Sequence, residues 1–180
     1  MPPDTGPTPD LLLRPLTVAD EHDALAAHRE LEAEDFPFLL VAVPGEPWDR
    51  FVRRVEDERA GRDLPDGWVP ATFLVAEVDG VIVGRVSIRH RLNDHLEQVG
   101  GHIGYAVLPG CRGRGYATAM LRHALTVARD VGVDRVLLTC DDDNLGSARV
   151  IERCGGVLED TVAVPGSDVP KRRYWAPTSP

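Results

Sequence analysis

One segment past the middle of the chain constrains the fold more than any other: Tyr105-Ala-Val-Leu-Pro-Gly-Cys-Arg-Gly-Arg-Gly-Tyr-Ala117. It begins inside an apolar run of strand length, His102 to Leu108, which Pro109-Gly110 brings to an end. From about Gly115 the residues Ala117, Leu121, Ala124, Leu125 and Ala128 recur at helical spacing, and Val131-Gly132 closes the pattern. A strand therefore feeds a helix through a loop of glycines and arginines. Helix N-termini carry unpaired N–H groups and a partial positive charge, and Gly113 and Gly115 leave no side chain in a ligand's way. Arg112 and Arg114 add charge, so the segment reads as a cradle for an anion. The plainer alternative is a tight connection whose arginines are simply solvated.

Other phosphate loops fit less well. A Walker A loop places Lys and then Ser or Thr after its last glycine, whereas Tyr116 follows Gly115. A dinucleotide fingerprint needs Gly or Ala three residues further on, where Thr118 stands, in an early βαβ unit. Composition narrows the classes again. With 180 residues, 43% of them hydrophobic, one domain can bury a core without disulfide or metal staples. Twenty Lys and Arg against 29 Asp and Glu leave a net charge of −9, the wrong sign for neutralising a nucleic-acid backbone, so no nucleic-acid partner is expected. The same field weakly favours cationic small molecules such as amines.

Cys111, Cys140 and Cys154 are odd in number and lack metal-ligand spacing, so free thiols and no metal are expected. No stretch approaches the roughly 20 apolar residues that span a bilayer, and the Pro-rich start has no apolar core of a leader. A cytoplasmic protein with no membrane partner is the expectation.

Along the chain, residues 1–10 should form a flexible arm, 11–176 a single domain and 177–180 a flexible tail. Leu11 to Leu16 reads as a strand; Thr17 or Asp20 can cap a helix over Glu21 to Glu34, and a second helix starts at Pro47 and stops at Gly61. Thr72 to Val78 and Val81 to Ile88 flank Asp79-Gly80, a hairpin signal. Arg135 to Cys140 is a buried strand, Asn144 to Cys154 a short helix, and Val157 to Val164 and Arg172 to Trp175 are late strands. The result is a mixed α/β (α+β) layer structure.

Arg112-x-x-Gly115-x-Ala117, after a strand and Pro109, resembles the acetyl-CoA signature of the GNAT superfamily of N-acetyltransferases. Asn144-x-x-Ser147-x-Arg149-x-Ile151-Glu152-Arg153-Cys154-Gly155 is similar to that family's second motif, and the resemblance spans about residues 71–164. It implies a mixed, mostly antiparallel central sheet flanked by helices, with the fourth and fifth strands splayed. It also implies acetyl-CoA as cosubstrate, its pyrophosphate on the amides of Arg112, Gly113, Arg114, Gly115, Tyr116 and Ala117. Pantetheine would pair with the main chain near Val107 and meet Asn144, a residue equally suited to capping its helix.

The implied activity is acetyl transfer to a primary amine by direct attack in a ternary complex. The alternative is an acyl-CoA sensor that kept the cradle and lost turnover. Ile151, which stands where many members carry a proton-donating Tyr, motivates it; Gly156 also stands where Phe is usual. Tyr105, Tyr116 or Tyr174 could donate instead, or water. His102 is the expected base and Glu97 the second candidate, each weighed against a purely structural role. Asp141, Asp142 and Asp143 could draw a cationic amine or form a solvated turn, and Phe36 and Phe38 could wall the acceptor pocket or pack the core. The late strands and Trp175 offer an edge for a possible homodimer.

Overall fold

Alternation along two central strands builds the molecule, because residues on opposite faces of a strand feed separate cores. The computed structural model describes residues 10–40 and 42–179. Residues 1–9 of the expected arm and Pro180 of the expected tail lie outside the described residues. The elements are β1 (Leu12–Pro15), α1 (Glu21–Glu32), α2 (Trp48–Arg59), β2 (Ala71–Val78), β3 (Val81–Arg89), β4 (Ile103–Val107), α3 (Tyr116–Asp130), β5 (Arg135–Asp141), α4 (Leu145–Arg153), β6 (Val157–Val162) and β7 (Lys171–Pro177). Asp79 and Gly80 both take positive φ, 50° and 78°, which is the two-residue turn that matches strand twist and joins β2 to β3.

Phe73 and Val75 of β2 point to α1 and α2, where Ala24, Leu31, Phe51 and Val55 meet them. Leu74 of β2, with Val86 and Ile88 of β3, points the other way, against Leu121, Ala124 and Ala128 of α3. Helices therefore cover both faces, and truncating a fully buried leucine such as Leu121 to alanine costs about 2–5 kcal/mol. The entrance to α1 is held electrostatically: Asp20 accepts from the Thr17 N–H (2.7 Å) and from both Nη atoms of Arg14 (2.8 Å each). Hydrogen bonding to Arg14 outweighs burial and holds the Asp20 carboxyl at about 2.

Every paired strand is antiparallel, in two sheets ordered β1-β2-β3-β4 and β5-β7-β6. β4 and β5 are the two edges that face each other, and no ladder joins them among the described residues. They meet at one joint. The His102 N–H donates to the Leu137 carbonyl (2.7 Å), and the Leu137 N–H donates to His102 Nδ1 (2.9 Å). Gly101, at φ 65°, passes so close that a Cβ would lie 2.5 Å from the Leu137 carbonyl oxygen. This is the expected separation of the fourth and fifth strands, and the fold is the mixed, antiparallel, helix-flanked one.

Two expectations need correction at the C-terminal end. Pro177 is the last residue of β7 rather than the start of a tail. Thr178 is buried, its hydroxyl donating to the Val133 carbonyl (2.8 Å) and its N–H to Asp134 (3.1 Å), so this stretch ties down the turn after α3. β7 lies between β5 and β6, which places Trp175 on an interior strand with Arg135 over its ring (4.7 Å). The open edge belongs to β6, which exposes Val157 and Leu158.

Candidate active site

The loop before α3 leaves its amides unsatisfied. The Cys111 N–H donates to Leu108 (2.8 Å), Arg112 to Pro109 (3.3 Å) and Ala119 to Gly115 (3.1 Å). Between these, the six successive N–H groups from Gly113 to Thr118 have no acceptor among the described residues. Gly113 (φ 78°) and Gly115 (φ 80°) are left-handed, a backbone that side chains strain, and space for a Cβ is open at both. Turned-back amides and the α3 dipole thus converge on one surface.

That surface is one wall of a cavity of about 660 Å³. Of the residues expected to hold the coenzyme, Val107, Gly113, Gly115, Tyr116, Ala117 and Asn144 are brought together on its lining. Arg112 also lines it, but its charge is already matched: Nη1 and Nη2 grip Glu34 just past α1 (3.1 and 2.6 Å), and Nε donates to the Val107 carbonyl (3.2 Å). Arg114 turns away from the cavity, exposed, and reaches the Gly110 carbonyl (3.4 Å).

Across the cavity stands α4. Asn144 Oδ1 accepts from the Ser147 N–H (3.0 Å), so Asn144 is the cap of this helix as well as a wall residue. Ser147 Oγ lies 2.7 Å from the Tyr105 hydroxyl, closing the space between β4 and α4. Burial raises Tyr105 to about 12, so its phenol keeps its proton at neutral pH. Arg149 and Arg153 line the cavity with no carboxylate partner among the described residues. Sequence reasoning gave neither a role, although their i, i+4 spacing after the Asn cap places them on one face. In the β3–β4 ladder the bonded pair Arg89–His102 sets the alternation, so the main-chain groups of Ile103, Tyr105 and Val107 turn toward β5.

Neither expected base reaches this cavity. His102 is buried in the joint, its Nδ1 lone pair occupied, and burial, helped by the charge of Arg89, pulls it down to about 4. Glu97 is exposed on a π-helical turn (Leu96–Gly100) away from the cavity wall. Of the tyrosines, Tyr105 and Tyr116 line the cavity; Tyr174 is fully buried, its hydroxyl donating to Glu152 (3.3 Å). Ile151 sits in the core, and a Cβ at Gly156 would overlap its side chain, so the two departures from the family pattern are one packing adjustment. Lys171 and Arg172 of β7 pair with Asp141 and Asp142 (2.7 Å each), which neutralises two of the three acidic residues there. Phe36 lines the cavity, whereas Phe38 packs edge-on against Phe73 in the core. Among the described residues no group of His, Cys, Asp or Glu is placed to hold a metal ion, and no helix is long and apolar enough to cross a membrane.

Splayed edge strands beside a glycine-rich, amide-lined helix start are the arrangement expected of an acetyltransferase of the GNAT type. The model of the Acetyltransferase (GNAT) family matches residues 25–156, and the chain belongs to this family. Comparison with curated protein sequences gives no match. Among solved structures the fold is similar to Mycobacterium smegmatis RimJ in complex with CoA-disulfide (TM-score 0.68, 21% identity, 95% of this chain and 83% of that one). It is also similar to the microcin C7 self-immunity acetyltransferase MccE in complex with acetyl-CoA and AMP (TM-score 0.63, 20% identity, 96% and 97%). A GNAT-family acetyltransferase from Streptococcus pneumoniae aligns with a TM-score of 0.66 at 17% identity over 93% and 99% of the two chains.

Proposed function

We propose that this protein is an acetyl-CoA-dependent N-acetyltransferase acting on a primary amine by direct attack in a ternary complex. The observation that carries the reading is the run of free amides from Gly113 to Thr118 at the head of a cavity. A diphosphate needs several converging donors, and main-chain N–H groups supply them without desolvating a charge. Arg149 and Arg153 add the positive charge that Arg112 and Arg114 do not direct there. Pantetheine would then run along the open edge of β4, where Tyr105 and Val107 turn their main-chain groups outward and the Val107 carbonyl already accepts from Arg112.

In the reaction the neutral amine nitrogen bonds to the thioester carbonyl carbon and the C–S bond breaks. One proton leaves the nitrogen for water and one reaches the sulfur, giving an amide and a free thiol. The Tyr105–Ser147 hydroxyl pair stands on the cavity wall, where it offers the departing sulfur a hydrogen bond and a route for a proton from solvent. The three free thiols fit a reducing, cytoplasmic setting, and the exposed β6 edge is the surface a homodimer would use.

A second reading, an acyl-CoA sensor without turnover, draws on the burial of Ile151 and on Glu34, the one carboxylate lining the cavity among the described residues, being bound to Arg112. The test is release of free thiol from acetyl-CoA across a broad amine panel, run beside calorimetry. Turnover in the wild type, with kcat lowered roughly a hundredfold in Tyr105→Phe at unchanged acetyl-CoA affinity, is the expected result. Coenzyme binding without thiol release from any amine would favour the sensor.

A further inference from the structure

Most cations of this chain are matched. Arg14 meets Asp20 and Glu77, Arg54 meets Glu46, Arg112 meets Glu34 and Arg172 meets Asp142, all at 2.6–2.8 Å. Two of the guanidinium groups withdrawn furthest from water are not. Arg85 of β3 is 1% exposed, and its donors find only main-chain carbonyls, Pro37 (3.0 Å) and Gly104 (3.4 Å), while Nε is buried with no partner. Arg89, four residues along the same strand face, reaches the Gly100 carbonyl (3.5 Å). Among the described residues no carboxylate forms an ion pair with either, although the chain carries 29 acidic residues. The facing charged groups are few: half-buried Glu58 of α2 acts on Arg89 from a distance, and His102 is neutral. Burial and mutual repulsion hold Arg85 down at about 9. Burying a guanidinium is costly unless a carboxylate or a full set of acceptors compensates.

The geometry shows where compensation belongs. Gly104 of β4 carries no side chain, and the point its Cβ would occupy is 3.4 Å from Nη1 of Arg89 and 3.7 Å from Nη1 of Arg85. Two guanidinium groups converge there on a point that a single acceptor atom, such as one carboxylate oxygen, would occupy in contact with both. This point lies near the cavity. Ala106, two residues on and about 7 Å along the same face of β4, lines the cavity wall. So does Phe36, whose ring covers the Arg85 guanidinium at 5.0 Å while remaining 39% exposed. The Phe36 ring thus lies against both the Arg85 guanidinium and the cavity.

We propose that Arg85 and Arg89, around Gly104, bind a carboxylate of the acceptor, so that the amine acetylated by this protein is an amino acid or another amine carrying a carboxylate. This rests on the acetyltransferase reading and gives it a substrate class. It also reverses the hint from net charge, which favoured a purely cationic amine: the field of the whole surface is negative, but the lining of this recess is positive.

The experiment uses matched probes, each amino acid beside its carboxamide and its decarboxylated amine, with acetyl-CoA and the full chain. The wild type is expected to prefer the acids at least tenfold in kcat/KM. Arg85→Gln should erase that preference while acetyl-CoA affinity by calorimetry stays within twofold. Where Arg85→Gln fails to fold, Gly104→Ala gives the same answer, because its methyl group occupies the point on which the two arginines converge and has their flexible ends as its nearest neighbours. Equal use of acids and their uncharged partners, or an undiminished preference in Gly104→Ala, would overturn the proposal and leave the acetyltransferase intact. Acetyl-CoA binding with no transfer to any member of the panel would remove both.

Discussion

The protein presents positive potential in two places, and it builds them from opposite materials. At Gly113 to Thr118 the donors are main-chain amides on an open loop, and the arginines beside them are paired with Glu34 or turned to a carbonyl. At Arg85 and Arg89 the donors are side-chain cations sunk between β3, β4 and the Phe36–Pro37 loop. An amide dipole needs no counter-ion when its ligand is gone, so the first site can stay open to water. A buried guanidinium has no such freedom, and the second site is covered by an aromatic ring and propped by carbonyls. The first suits a cosubstrate that is always the same; the second selects among acceptors.

The largest effect expected from this contrast is at the main-chain site. Gly115→Glu places a carboxylate where the amides converge, at a position where a Cβ meets nothing within 4 Å. Acetyl-CoA affinity should fall by at least roughly a thousandfold, about 4 kcal/mol, while the fold survives with about 1 kcal/mol of backbone strain from the left-handed φ. Gly115→Ala carries the strain without the charge and should lose far less. Calorimetry and thermal unfolding of the two variants measure this, and an unchanged dissociation constant in Gly115→Glu would remove the cradle.

Much of the first site was legible in the sequence because special backbone demands special residues. Two glycines at positive φ, a proline-ended strand and an apolar helical period can be read without tertiary structure, and so could the Asp79-Gly80 turn and the Asn144 cap. The second site was not legible. Arg85 and Arg89 occupy alternate-face positions in Val-Ile-Val-Gly-Arg-Val-Ser-Ile-Arg, a pattern that reads as a strand with one solvated face. Only the packing of α1, α2 and the Phe36–Pro37 loop over that face buries them. The same holds for Tyr105 with Ser147, 42 residues apart, and for Arg112 with Glu34, 78 apart, where local residue type carries no sign of the partner. His102 shows the reverse failure: a residue type suited to proton transfer was assigned to chemistry, while tertiary structure spends its lone pair on joining two sheets.

That joint gives the next effect in size. Native His102 is held at about 4 against an ordinary value of 6.5, with burial the main cause and Arg89 the second. As pH falls, the unfolded chain takes up this proton before the native one does. The contribution to stability is therefore complete above pH 6.5 and is lost as pH falls toward 4, by up to about 3 kcal/mol. His102→Asn, which retains an acceptor for the Leu137 N–H, should flatten the difference in unfolding free energy between pH 6.5 and 4. Arg89→Gln should shift that window upward by removing a nearby charge, which ties the joint to the buried arginine pair. Denaturant titrations at several pH values check both, and an acid slope identical in wild type and His102→Asn would mean that the native imidazole takes up its proton as readily as the unfolded one.

The smallest effect separates charge from donor geometry at the first site. Arg112 is half exposed and spans part of the cavity to reach Glu34, whose carboxyl its hydrogen bonds hold below the usual carboxylate range. If side-chain charge were the grip on the diphosphate, Arg112→Gln would be as damaging as a glycine substitution in the loop. With amides as the grip, Arg112 acts as a clamp, and Glu34→Gln, which frees it and removes a negative charge from the rim, should raise acetyl-CoA affinity about two- to fivefold. The gain should shrink with added salt, as an exposed electrostatic effect must. Lower affinity in Glu34→Gln would instead mean that the ion pair orders the loop, since loss of the clamp would then disperse the amides that Gly113 and Gly115 turn toward the ligand.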